Sequence, residues 1–214
     1  MGLSLTQLIP LQELTPGQVG KIRNDAINAI VAKACRELNK LPDDLVVRDI
    51  LPYTDIGWDY GTASAGTVNK WVHNATAAAV GYSSITGAET MADNRYVAIF
   101  GVRDYSAGLG ATLGATGGAA TMAAGGSTIY PALAMMSLIK FNVGGADKVI
   151  WDITCLRAYL ASGVAVAFSP SVVVIPQNTS FNVYFYQQLA NADIDVYLQL
   201  LGVTVEPRGK LISP

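Results

Sequence analysis

From residue 95 onward the chain is written with a period of two, and that rhythm narrows the possible fold more than any other feature of its 214 residues. In Leu138–Val143, Ile139, Phe141 and Val143 alternate with Lys140 and Asn142. In Asp147–Thr154, Val149, Trp151 and Ile153 alternate with Lys148, Ile150, Asp152 and Thr154. Phe181, Val183 and Phe185 alternate with Asn182, Tyr184 and Tyr186, and Ile194, Val196, Leu198 and Leu200 with Asp195, Tyr197 and Gln199. Val164, Val166 and Phe168 are spaced by Ala165 and Ala167. Arg95–Val102 is a further β-run, and Val172–Ile175 is a short run of buried type stopped by Pro176. Successive side chains of a strand point to opposite faces, so a period of two marks strands with one face in a core. Ser169-Pro170, Pro176-Gln177-Asn178 and Asn191-Ala192-Asp193 supply turn chemistry between the runs. Seven such runs predict an antiparallel β-sandwich of seven or eight strands.

The first half of the chain has a different texture. Thr15 is placed as a helix N-cap, with Pro16 at the first helical position and Gln18 completing a capping box. Val19, Ile22, Ala26, Ile27, Ile30, Val31, Ala34, Cys35 and Leu38 then recur at helical spacing, which predicts an N-terminal helix over 15–38. That helix packs either on its own domain or as an arm on a neighbouring subunit. Leu41–Gly57 has no steady period, is punctuated by Pro42 and Pro52, and reads as an extended connector. The organisation expected is therefore an N-terminal helix and connector arm over 1–57, a mixed linking region over 58–94, and a β-sandwich over 95–214. A Gly-rich insertion at 106–139 falls between the first two β-runs and is too long for a hairpin turn. Having little to bury against its own fold, it is a candidate for contact with a partner.

Composition agrees with an assembled protein. Charged residues make up 14% of the chain, against about 25% in ordinary soluble domains. Hydrophobic residues make up 51%. A chain this poor in charge is intelligible where neighbouring subunits cover its surface. The formal net charge is −2, and residues 1–20 contain no Lys or Arg, so no nucleic-acid-binding arm is expected. No transmembrane segment is expected either: Ser106–Ile139 is free of charge but contains seven glycines and Pro131, too weakly apolar and too flexible for a spanning helix. The N-terminus lacks the basic and apolar regions of a secretory signal. Cys35 and Cys155 read as two buried free thiols rather than a disulfide framework.

Catalysis needs convergent groups, and the sequence offers none, so no catalytic, cofactor-binding or metal-binding residue is assigned and no cofactor is expected. The single histidine, His73, sits in a Trp-Val-His-Asn context and reads as structural. No zinc-type Cys/His spacing, phosphate-binding loop or nucleophile elbow occurs. Among acid pairs, Asp43/Asp44 are explained by capping after Pro42, and Asp193/Asp195 flank the last strand and point outward. Asp55 and Asp59, beside Trp58 and Tyr60, are the best candidates for a sugar site.

The stretch from Val149-Ile-Trp-Asp-Ile through Val172-Val-Val-Ile and Phe181-Asn-Val-Tyr-Phe-Tyr to Ile194-Asp-Val-Tyr-Leu-Gln-Leu resembles single jelly-roll virion proteins, over roughly residues 95–210. The resemblance is one of strand rhythm and composition. It implies a capsid or capsid-associated structural subunit of minor capsid, decoration or vertex type, located in the virion after assembly in the host cytoplasm. It also implies homo-oligomeric packing, contacts with other virion proteins, and no catalysis. One departure is informative: residues 21–50 hold six basic and five acidic side chains instead of a basic arm, which points away from genome contact. The helix and the Leu41–Gly57 connector would then clasp adjacent subunits. The alternative is a carbohydrate- or receptor-binding β-sandwich of a spike or tail, using Trp58, Tyr60, Trp71, Tyr184, Tyr186 and Tyr197.

Overall fold

The structure, a computed structural model, describes residues 5–50, 58–63, 69–70, 89–104, 137–153, 156, 165–187 and 194–209. It is mainly β, with two sheets and one long helix. Strands β1 (Leu5–Gln7) and β2 (Ile9–Pro10) precede helix α1 (Pro16–Leu38). Then follow β3 (Leu45–Asp49), β4 (Trp58–Ala63), β5 (Asn69–Lys70) and β6 (Glu89–Thr90). The long strands are β7 (Tyr96–Asp104), β8 (Ser137–Val143), β9 (Ala146–Asp152), β10 (Ala165–Ile175), β11 (Ser180–Gln187) and β12 (Ile194–Pro207).

The pairings nest like a folded hairpin. Strand β12 pairs on one side with β3 at Val203–Pro207 and with β4 at Ile194–Gln199, so β3 and β4 act as two halves of one edge strand. Likewise β5 and β6 share one side of β11. Moving inward, β7 pairs with β10 and β8 with β9. First partners last, second partners next to last, and the hairpin closes on itself where β7 meets β12 and β8 meets β11. The sheet orders are β1-β9-β8-β11-β5 and β2-β10-β7-β12-β3. This winding of eight strands into two facing sheets is the jelly-roll form of the sandwich.

The period of two places side chains as expected. Ile139, Phe141 and Val143 on β8, Val149 and Trp151 on β9, and Phe181 and Val183 on β11 are buried, facing Val97, Ile99, Val102, Ala165, Ala167, Val173, Ile175 and Leu200 of the second sheet. Trp151 meets Phe141 edge-on at 4.6 Å between ring centroids, and it fits a core layer whose opposite members include Ala165 and Ala167. The second sheet is apolar on its outer face too. There Tyr96, Ala98, Phe100, Val166, Phe168, Val203 and Val205 lie under α1. The helix presents Ala26, Ile30 and Ala34, four residues apart and all buried. Its ends are as the sequence predicts. Gln18 N donates to Thr15 Oγ1 at 3.3 Å and Thr15 N donates to Gln18 Oε1 at 2.8 Å, and Asn39 closes the helix in a left-handed conformation.

Of the two placements left open for the helix, the structure has it on its own sheet, over the apolar outer face of β7, β10 and β12. Three expectations change. The segment expected as an extended connector supplies β3 at residues 45–49, an edge strand pinned to the helix by Arg23–Asp49 at 3.0 Å. Residues 51–57 lie outside the described residues. The runs 164–168 and 172–175, expected as separate strands joined by a Ser169-Pro170 turn, form one strand, β10. Its register shifts between Phe168 and Val173, and Pro170 falls in the skipped residues, where its missing N–H costs no ladder bond. Finally, β12 continues seven residues past Leu200 to Pro207.

The register also shifts on β12 between Leu201 and Gly202, opposite Gly101 and Ile99 of β7. A Cβ at Gly202 would collide with the Ala98 carbonyl oxygen and Ile50 Cδ1, and one at Gly101 would sit 2.7 Å from the Ala167 carbonyl oxygen. Backbone is not free to yield there. By contrast Gly20, within the helix, has open space around it. Gly202→Ala is therefore expected to lower unfolding stability by about 1–3 kcal/mol, and Gly20→Ala to raise it by about 0.5–1 kcal/mol, both read by urea denaturation.

Candidate functional site

The winding sorts the connections between strands into two groups, one at each end of the sandwich. At one end the links are short and satisfy one another. Met91 N donates to the Thr179 carbonyl at 3.0 Å and Asn178 N to the Met91 carbonyl at 2.9 Å. Asn94 N donates to Gln177 Oε1 at 2.8 Å and Asn178 Nδ2 to Asp93 Oδ1 at 3.2 Å. Asn94 and Asn178 adopt positive φ of 60° and 53°, a conformation asparagine tolerates in turns. The β8–β9 turn is Gly144-Gly145, with φ of 64° and 76°.

At this end a half-buried ion cluster ties three strands together. Glu206 of β12, whose side chain is only 12% exposed, accepts from Arg95 Nε just ahead of β7, and Arg48 Nη2 of β3 lies 3.7 Å from the same oxygen. Nearby, the Tyr96 hydroxyl is buried without an ordinary hydrogen bond. Burial pushes its pKa above the usual phenol value, and the adjacent Glu37 carboxylate pushes it the same way.

The other end is where the long connections leave and return. Asp104, closing β7, is paired with Ala165, opening β10, and with Leu198 of β12. Ser137, opening β8, is opposite Gln187, closing β11, and Leu138 is opposite Asp152 near the close of β9. Ala63, closing β4, is opposite Ile194, opening β12. The strap β1–β2 shows that the two sheets end together, because Gln7 pairs with Asp152 and Ile9 with Phe168. The described strand ends that flank segments 64–68, 105–136, 153–164 and 188–193 therefore all lie at this end. The only charged residues of these segments are Arg157 and Asp193.

The outer face of the first sheet carries polar groups instead of a covering helix. Asp147 Oδ1 accepts from Asn142 Nδ2 at 2.8 Å, and Lys140 Nζ lies 3.3 Å from Asp147 Oδ2 and 4.7 Å from the centre of the Tyr184 ring. The Asn142 hydrogen bond, with help from Lys140, holds the Asp147 carboxyl below the usual range. The strand tyrosine Tyr184 is thus an amphipathic side chain on an open sheet face.

The candidate residues read from sequence are dispersed. Asp44 caps its own turn, accepting from Leu41 N at 3.2 Å. Strand β4 sets Trp58, Asp59 and Tyr60 opposite Gln199, Leu198 and Tyr197, and Asp195 opposite Thr62. Asp55, Trp71, His73, Cys155 and Asp193, and residues 106–136 of the Gly-rich insertion, lie outside the described residues. Cys35 is a half-buried free thiol on α1. Among the described residues no three His, Cys, Asp or Glu side chains gather, and no helix is long and apolar enough to cross a membrane. Sequence reading missed the Arg48–Glu206–Arg95 cluster, whose members are strung over most of the chain and carry no local signal. It missed β1 and β2 for a similar reason: strands of three and two residues have no measurable period. Comparison of the chain with family models, with curated proteins and with solved structures finds no match.

Two outcomes follow. Glu206→Ala removes the carboxylate that both guanidiniums share, and is expected to cost about 1–3 kcal/mol in urea denaturation. Asp147 has a lowered folded-state value, so its contribution is present above the unfolded value and lost as pH falls through the folded one. Thermal melting should separate Asp147→Asn from the parent at near-neutral pH, and the two curves should converge below the carboxylate range.

Proposed function

We propose that this protein is a structural subunit of a virion, a capsid or capsid-associated protein that works by assembling with copies of itself. One observation carries the reading: the winding gathers four connections with only two charges between them at one end of the sandwich. Such an end is poorly suited to water and well suited to burial between subunits, whose contact centres are depleted in charge. The opposite end is closed by its own hydrogen bonds and holds the ion cluster. A two-ended subunit of this kind fits tiling with a defined orientation. The low overall charge, at 14%, agrees with extensive coverage, and the jelly-roll winding is the form that the sequence resemblance implies.

The test is the native mass of the purified protein by size exclusion with light scattering, followed by electron microscopy of any large species. Closed oligomers, shells or sheets are the expected result. A stable monomer of 22.5 kDa overturns the assembly reading and turns attention to carbohydrate binding through the Trp58, Tyr60 and Tyr197 register on β4 and β12, readable on a glycan array.

A further inference from the structure

Residues 5–10 are attached to the sandwich from outside its hairpin winding. Strand β1 lies on the free edge of β9 and β2 on the free edge of β10, so this strap bridges the two sheets. Every other pairing among the described strands is antiparallel, whereas β1 runs parallel to β9. It is an added strand, in the manner of a peptide bound by β-augmentation. Between the two strands Leu8 drops into the shared core, 1% exposed, and its N–H reaches the Asp152 carbonyl at 3.4 Å. Pro10 is buried beside it, while Leu5 remains 62% exposed. Residues 1–12 carry no charge, so backbone pairing and apolar contact govern the docking.

The strap also ends at a natural hinge. Leu11–Glu13 form a single 3-10 turn, and Leu14 N donates to the Leu11 carbonyl at 3.1 Å. The helix beyond is capped by bonds that lie wholly within Thr15 and Gln18. Lifting residues 5–10 away therefore leaves α1 capped. What it uncovers is two unpaired strand edges and a cleft shaped for Leu8 and Pro10. Exposed edges of this kind recruit another strand.

We propose that residues 5–10 are an exchangeable strand: in the assembled protein, the cleft between β9 and β10 takes Leu8 and Pro10 of a second copy of this chain. The inference rests on the assembly reading and supplies its connecting element. Exchange replaces each contact with an identical one, so the intrachain and interchain forms differ little in contact energy. Interfaces formed on assembly then decide between them.

Leu5 and Ile150 are register partners on the outer face of the parallel pair, and adjacent strands lie about 4.8 Å apart, within disulfide reach. The full chain carrying Leu5→Cys and Ile150→Cys, with Cys35→Ala and Cys155→Ala, is oxidised after assembly and run on a denaturing, non-reducing gel. Exchange gives covalent multimers. Co-expression of the two single cysteine variants then gives a heterodimer whose crosslinked peptides join positions 5 and 150. An assembled protein whose double variant yields only covalent monomers overturns exchange while leaving assembly intact. Absence of any crosslink overturns the docking itself. Light scattering that finds no assembled species sinks the assembly reading and the exchange together.

Discussion

The outer face of strands β7, β10 and β12 is as apolar as their inner face, and a sheet with two apolar faces has to be covered twice. The first sheet covers one side with Trp151, Phe141 and their neighbours. Helix α1 covers the other with Ala26, Ile30 and Ala34. The alanines let the helix approach closely, and Phe100 and Phe168, stacked at 6.4 Å, fill the space beneath it. The first sheet has no such second burden, so its outer face can hold Lys140, Asn142 and Asp147. The described residues are therefore layered as helix, sheet, sheet.

This asymmetry explains which parts of the fold were legible in the sequence. Half-buried strands announce themselves: Ile139, Phe141 and Val143 alternate because water lies on one side of β8 and the core on the other. Strand β10 is buried on both sides, so its Val166 and Phe168 face the helix while Ala165 and Ala167 face the core. Alternation there distinguishes two interiors rather than inside from outside. The capping box at Thr15 and Gln18 was readable because it is a local device, complete within four residues. The course of 45–49 was not, because β3 is held by pairing to residues 203–207, far along the chain. Pro170 misled for a physical reason as well: a proline between two apolar runs marks a turn in most strands, and here it occupies the bulge that lets one strand bend.

Of the candidate site, the sequence revealed the parts list more than the arrangement. The scarcity of charge in 106–136 was visible. That this segment begins and ends beside 64–68, 153–164 and 188–193 follows only from the nested pairing of β7 with β10 and β8 with β9. Trp58, Tyr60 and Tyr197 stand in neighbouring register for the same reason, although about 140 residues separate them. The described sandwich has one end closed by hydrogen bonds and ions, one end where connections with only Arg157 and Asp193 as charges leave and return, and a strap along its side.

The nested winding also dictates an order of events when the chain is made. Strand β12 sits between β7 and the β3–β4 edge, yet it is the last of the twelve strands to leave the ribosome. Until residue 207 emerges, β7 lacks one of its two neighbours and β3 has none. The apolar run Tyr96–Phe100 therefore waits with a bare edge through more than a hundred residues of synthesis. Such a chain cannot fold progressively from its N-terminus. It condenses late, around long-range contacts that are slow to form, and throughout that interval it depends on dilution or on chaperones to keep unfinished sheets from pairing with one another.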